Sequence, residues 1–226
     1  MDPSNIRVDP LGWFFVFVIG LLVPAAAARS ARRSQPATGS DGKIKNRLRN
    51  VLILIGLGAV ALFVARRDSV ALFAPFQWTP GLITLSIVTL AGVVALAEAL
   101  LMVRSLEERR KLWVRQTIPR DNAGRGVWLV SSITAGATEE IIFRGVFFAL
   151  LAAITGRIAA GALISAIVFA LAHFRQGWKS MAFIAPIALL FQWLVIYSGS
   201  LVPAIIVHAI YNIARGLRAS AAMDGI

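Results

Sequence analysis

The 226-residue sequence contains no cysteine, only two histidines and few charged residues, and each scarcity removes a class of function. Without cysteine there is no disulfide, no thiolate nucleophile and no cysteine-ligated metal, and the redox compartment stays undetermined. Charged residues make up 15% of the chain, against about 25% in an ordinary soluble domain. Aspartate is absent from residues 127–214, so no aspartyl dyad can form there. Neither His173 nor His208 has a second histidine four residues on, which removes the His-Glu-x-x-His metalloprotease pattern. Apolar residues, by contrast, reach 58%. They come in runs approaching the roughly 20 residues that a bilayer-crossing helix needs, without the ~10-residue alternation of a membrane barrel. The expected fold is an all-α polytopic membrane protein.

Seven spans are expected, over residues 11–28, 51–65, 79–103, 127–154, 158–174, 181–196 and 201–214, the last short enough to be tilted or re-entrant. The formal net charge of +12 is concentrated between spans. One cluster is Arg29, Arg32, Arg33, Lys43, Lys45, Arg47 and Arg49; the other is Arg104, Arg109, Arg110, Lys111, Arg115, Arg120 and Arg125. Basic loops between apolar spans mark the cytoplasmic side, which puts the N-terminus outside and the C-terminus inside. Arg66, Arg67, Asp68 and Arg157 then fall outside. The lipid bilayer, including its anionic headgroups, is the expected partner of the basic loops. Nucleic acid is not, since aromatic residues do not interleave with the charges. Pro24-Ala25-Ala26-Ala27-Ala28-Arg29 has the form of a signal-peptide cleavage site. Asp2, Asp9 and a lone Arg7 give the preceding segment the wrong charge for one, so the first helix is expected to be retained. Residues 30–50 read as a flexible linker and 106–120 as an amphipathic surface helix, with Leu106, Leu112 and Trp113 among charges. Glu98 sits near the cytoplasmic end of the third span, and Ser198-Gly199-Ser200 reads as a turn.

The fourth span interrupts this pattern with Glu139-Glu140-Ile141-Ile142-Phe143-Arg144, while 127–137 and 145–154 carry no charge. A charged side chain at the centre of a membrane helix costs roughly 2.5–3.5 kcal/mol, so such residues mark function. At 1.5 Å per residue the span would be roughly 42 Å long. Ser131, Ser132, Thr134, Gly136 and Thr138 fill its first half, which suggests a helix starting near Gly136 after a less regular piece. Glu139 and Glu140 would then lie near a helix N-terminus, where the macrodipole favours carboxylates. Glu140 and Arg144, four apart with the acid first, form a structural ion pair. Glu139 points about 100° away, reaches only Phe143 at i+4, and needs a partner from another helix. His173, with Phe169 one turn back to fix its ring, and His208, with Asn212 one turn on, are the candidates.

The three patterns, Glu139-Glu140-x-x-x-Arg144, Phe169-x-x-x-His173 and His208-x-x-x-Asn212, resemble the ordered motifs of the CAAX protease and bacteriocin-processing family. That family, also called Abi, comprises intramembrane glutamic endopeptidases and includes the type II CAAX prenyl endopeptidase. The resemblance covers roughly residues 127–215. It implies that Glu139 and His173 hold and activate the attacking water, that His208 and Asn212 form the oxyanion hole, and that Glu140, Arg144 and Phe169 support them, with no cofactor. The residues themselves fit that chemistry, which needs a general base and donors aimed at the developing oxyanion. It further implies a 127–215 protease core after membrane spans in 1–126, followed by a cytoplasmic tail at 216–226. The substrate would be a peptide or membrane protein, prenylated or not, and the small size and basic loops suggest a bacterial inner membrane. Two other readings use the same residues. Glu139, His173 and His208 could ligate zinc with Asn212 beyond the metal, or the cluster could be the relay of an ion-coupled carrier or part of a scaffold.

Overall fold

The computed structural model describes residues 6–33 and 40–224, and these form helices joined by turns and one longer loop, 68–79, with no strand beyond one isolated bridge between Phe73 and Ser200. Helix α1 (Pro10–Phe17) starts at Asp9, whose carboxylate accepts the Gly12 N–H at 2.9 Å, with Pro10 in the first turn. Both are helix-start chemistry, since the first N–H groups lack intrahelical partners. The chain runs on through a π-helical turn (Val18–Leu22) into α2 (Val23–Arg33). Pro24 has no N–H to give the carbonyl four residues back and its ring crowds that carbonyl, a local reason for the wide turn. Then follow α3 (Ser40–Arg67) and α4 (Pro80–Met102), the latter capped by Thr79. Helix α5 (Leu106–Gln116) opens with a reciprocal capping box between Ser105 and Glu108. It stops ahead of Pro119, which disfavours helical backbone in the residue before it.

The central rod consists of α6 (Asn122–Glu139), a π-helical stretch (Glu140–Phe147) and α7 (Phe148–Thr155). Every residue from Glu140 to Ala152 is buried. Around it pack α3, α8 (Ile158–Ala172), α9 (Trp178–Ser198) and α10 (Val202–Asp224), with α4 beyond α9. Gly156 ends α7 at φ 65° and Gly199 ends α9 at φ 69°, the left-handed geometry that glycine adopts without a Cβ penalty.

Three expectations need correction. The proposed linker at 30–50 is helical over 30–33 and 40–50, because its Lys, Arg and Asn residues continue the apolar helix of α3; residues 34–39 lie outside the described residues. The fourth span is not broken at Gly136: α6 is regular through Glu139, and the irregularity is the π turn that follows. Glu139 and Glu140 are therefore mid-helix, away from any N-terminal dipole. The helix that holds the expected last span is longer than that span, since α10 continues for 23 residues through the expected tail to Asp224.

Among the described residues, four helical runs are long and apolar enough to cross a membrane: Pro10–Arg32, Ile44–Arg67, Pro80–Met102 and Trp178–Ser198. Their outward faces carry exposed Phe14, Leu52, Ile87 and Trp193, each more than 60% accessible. Apolar surface on that scale fits lipid rather than water. Polar contacts gather at the two ends. At one end Arg47 donates to the Thr117 carbonyl (3.1 Å), Arg104 to the Gln176 carbonyl (2.9 Å) and Ser180 hydroxyl (2.7 Å), Lys179 pairs with Glu108 (3.0 Å), and Arg218 pairs with Glu98. At the other, Arg67 pairs with Asp9 at 2.9 Å and Leu201 N–H donates to the Leu72 carbonyl at 3.0 Å.

Asp68, just beyond α3 at this second end, is 1% exposed and neither carboxylate oxygen has a hydrogen-bond partner. Burial, with the Asp9 carboxylate beside it, pushes Asp68 above its ordinary value of 3.8. An acid raised on folding contributes most to stability below its unfolded value and loses that contribution as pH rises through the folded one. Asp68→Asn should therefore raise the melting temperature by about 2–4 °C at pH 8 and by less at pH 4. A scan in detergent at both pH values checks this: an equal rise would show that ionisation of Asp68 is not the cause, and a fall at pH 8 would show Asp68 to be favourably placed as an anion. Gly12→Ala should destabilise, because a Cβ there would overlap Asp68 Oδ2.

Candidate active site

The site is built on the middle of the central rod. Gly136, one turn before Glu140, lets α6 approach α10 so closely that a Cβ on it would lie 3.2 Å from the Ala209 backbone nitrogen. That approach places Glu139 and Glu140 beside His208. The π stretch then widens the helix, and the Phe143 carbonyl, which takes the Phe148 N–H at π spacing, also accepts the Ser165 hydroxyl of α8 at 2.7 Å. Single π turns inside α-helices recur at functional sites, where they re-aim side chains.

Glu140 is fully buried and its Oε1 meets two partners: His208 Nδ1 at 2.7 Å and Arg144 Nη1 at 3.4 Å. The ion pair expected with Arg144 is present, but the shorter contact crosses to α10. An ionised carboxylate can only accept, so His208 Nδ1 carries the proton in that bond. The ring therefore accepts at Nε2 when neutral and donates there only as the imidazolium. Phe191 stacks on it with centroids 5.0 Å apart. Arg144, 2% exposed, lies 4.0 Å from the centroid of Phe169 and 5.6 Å from that of Phe191. Cation–π contact of this kind lowers the cost of a buried guanidinium.

Glu139 faces open space instead. Its carboxylate is one-fifth exposed and its nearest cross-helix partner is His208 Nε2, at 3.9 Å. The partner from another helix expected for Glu139 is thus His208, at more than hydrogen-bond distance, while the hydrogen bond to that ring is made by Glu140. His173 ends α8, with Nδ1 2.8 Å from the Phe169 carbonyl and its ring 4.6 Å from the Phe169 ring, as the sequence spacing suggested. A carbonyl cannot donate, so Nδ1 is again the protonated nitrogen and Nε2 of the neutral ring is a free acceptor. Asn212, one turn after His208, donates through Nδ2 to the Ser132 carbonyl at 3.2 Å, leaving its second amide hydrogen available.

Glu139, His173, His208 and Asn212 all line one cavity of about 310 Å³, with Arg144 and Phe169 also on its wall and Glu140 behind His208. Four separate elements therefore deliver the expected residues to one place. Sequence reasoning missed other lining residues, among them Arg47, Trp128, Phe191, Tyr211 and Arg215. The aromatic ones had no signal, since an aromatic in an apolar span reads as packing. No group of three or more His, Asp or Glu among the described residues is placed to share a metal ion.

Residues 122–214 match the protein family described as type II CAAX prenyl endopeptidase Rce1-like. No curated protein and no solved structure gives a match to the chain. The family match implies a protease of the CAAX type, and with the four candidate spans it indicates an integral membrane protein.

Proposed function

We propose, taking the type II CAAX prenyl endopeptidase match of residues 122–214 as the premise, that this chain is an intramembrane glutamic endopeptidase whose catalytic core is 127–215. The observation that supports this reading best is the convergence of Glu139, His173, His208 and Asn212 on a single cavity. Glu139 and the free Nε2 of His173 are both acceptors, so together they can hold a water by its two hydrogens and take one as its oxygen attacks a peptide carbonyl. The free amide hydrogen of Asn212, with Nε2–H of His208 when that ring is charged, supplies donors to the oxyanion that forms. The proton taken up by the base then passes to the departing amine. Glu140 and Arg144 act through His208, fixing which of its nitrogens carries the proton.

The substrate class that fits is a peptide or a segment of a membrane protein presented at the membrane, prenylated or not. Comparing peptides and membrane proteins that accumulate in cells expressing wild type or Glu139→Gln tests both activity and substrate. A polypeptide that accumulates intact only with the variant is the expected result. Identical profiles, with both proteins expressed and folded, would defeat the protease reading.

Seven crossings, N-terminus outside and C-terminus inside, fit the charges best, and a bacterial inner membrane is the setting proposed. The basic segments 44–50, 104–125 and 215–218 meet at one end of the bundle through Arg47, Arg104 and Arg218, as the positive-inside rule requires. Lys45→Cys should resist an impermeant thiol reagent added outside intact cells, whereas Phe73→Cys should react. Labelling of Lys45→Cys from outside would reverse the orientation.

A further inference from the structure

Among the described residues, two of the three arginines on the cavity wall form no ion pair. Arg144 is held by Glu140 at 3.4 Å. Arg47 and Arg215 also line the cavity, yet neither has a carboxylate partner among the described residues. Arg47 is anchored through Nη2 on the Thr117 carbonyl at 3.1 Å, while its Nη1 is buried with no hydrogen-bond partner. Arg215 rests over the Tyr211 ring at 5.5 Å, which positions the guanidinium without neutralising it. The amide side chains of Gln116 and Gln176 share this part of the wall, and Glu139 is the one acid among the lining residues. A partly buried guanidinium with an unmet donor, as at Arg47, is costly unless an anion joins it, and the forked geometry of arginine matches carboxylate oxygens.

We propose that Arg47 and Arg215 form an anion subsite that holds a carboxylate of the peptide substrate. The proposal rests on the protease reading above and adds the chemistry by which that site selects what it cuts. Arg215 lies seven residues after His208 on an unbroken helix, which places it about 10 Å further along α10. A carboxylate bound there would lie about three extended residues from the bond being broken. Neither arginine falls within the matched segment 122–214, so the subsite is argued from this chain's own cavity. A lipid phosphate has the same charge and similar oxygens, and it is the alternative the experiment must separate.

The full chain carrying Glu139→Gln, in nanodiscs of neutral phosphatidylcholine, would be titrated with dansyl-Leu-Ala-Leu-Ala as the free acid and as the C-terminal amide. Charge-assisted pairing with arginine predicts about 10-fold or more tighter binding of the acid. Arg47→Gln and Arg215→Gln should each bring the acid-to-amide ratio below about 3, while Arg47→Lys and Arg215→Lys retain most of it. The lysine variants also show that a lost preference is not lost folding. A ratio near one in the parent chain, or a ratio unchanged in both glutamine variants, would overturn the subsite. So would a preference abolished by adding phosphatidylglycerol to the nanodiscs, which would give the anion site to the lipid. Cleavage of the free-acid peptide by the wild-type chain is read separately: no cleavage with an intact acid preference would sink the protease reading and leave the subsite standing.

Discussion

Glu139→Gln is expected to lower peptide hydrolysis by about 10⁴-fold, the upper range for removing a positioned general base, with a melting temperature close to wild type. The carboxylate is partly exposed to the cavity and pairs, among the described residues, only with His208 Nε2 at 3.9 Å, so a neutral isostere disturbs little else. Glu140→Gln should behave in the opposite way. Its carboxylate is fully buried between His208 and Arg144. Removing that charge leaves Arg144 uncompensated, a change that typically costs about 3–5 kcal/mol. An amide could also donate to His208 Nδ1, moving the ring proton to Nε2, so that the ring would donate there while neutral rather than only as the imidazolium. Arg144→Ala should share the folding defect. Hydrolysis by purified variants, alongside thermal unfolding, separates the two acids. Full turnover in Glu139→Gln, with a well-folded but inactive Glu140→Gln, would exchange the roles assigned to them.

This contrast between adjacent carboxylates also marks where the sequence became hard to read. The ionisable residues stood out because charge in an apolar run is costly, and that cost makes Glu139, Glu140, Arg144, His173 and His208 visible without a structure. The Phe169–His173 spacing was readable too, because i,i+4 geometry is local. The division of His208 between the two glutamates was not. It depends on the close approach of α6 and α10 at Gly136 and on the π turn that begins at Glu140. A π turn has no strong compositional mark, and a glycine in a membrane helix is common. The helical form of 40–50 was hidden for a related reason: Lys, Arg and Asn read as loop, yet they are tolerated in a helix whose long side chains can reach the interface. Arg47 was read only as part of a cytoplasmic charge cluster. Its place on the cavity wall follows from the extension of α3.

Asn212→Ala is expected to reduce kcat by about 10²–10³-fold with little change in KM. The Asn212 amide reaches the cavity from the turn after His208, and one of its hydrogens is occupied by the Ser132 carbonyl. The other is free to meet an oxyanion, which forms only as the water attacks, so its loss should appear in the chemical step rather than in binding. In a zinc mechanism Glu139, His173 and His208 would be ligands and Asn212 would lie outside the coordination sphere, so Asn212→Ala would have a modest effect and chelators a large one. The geometry is awkward for zinc: no three candidate ligands among the described residues are placed to share an ion. The glutamic reading therefore requires turnover that survives prolonged treatment with EDTA and 1,10-phenanthroline, together with the Asn212 defect. One equivalent of zinc in purified protein, lost with activity and restoring it on return, would replace that mechanism with the metal-dependent one. A small Asn212→Ala effect in chelator-resistant enzyme would move the oxyanion donors elsewhere on the cavity wall, where the guanidinium of Arg144 has N–H groups without a hydrogen-bond partner among the described residues.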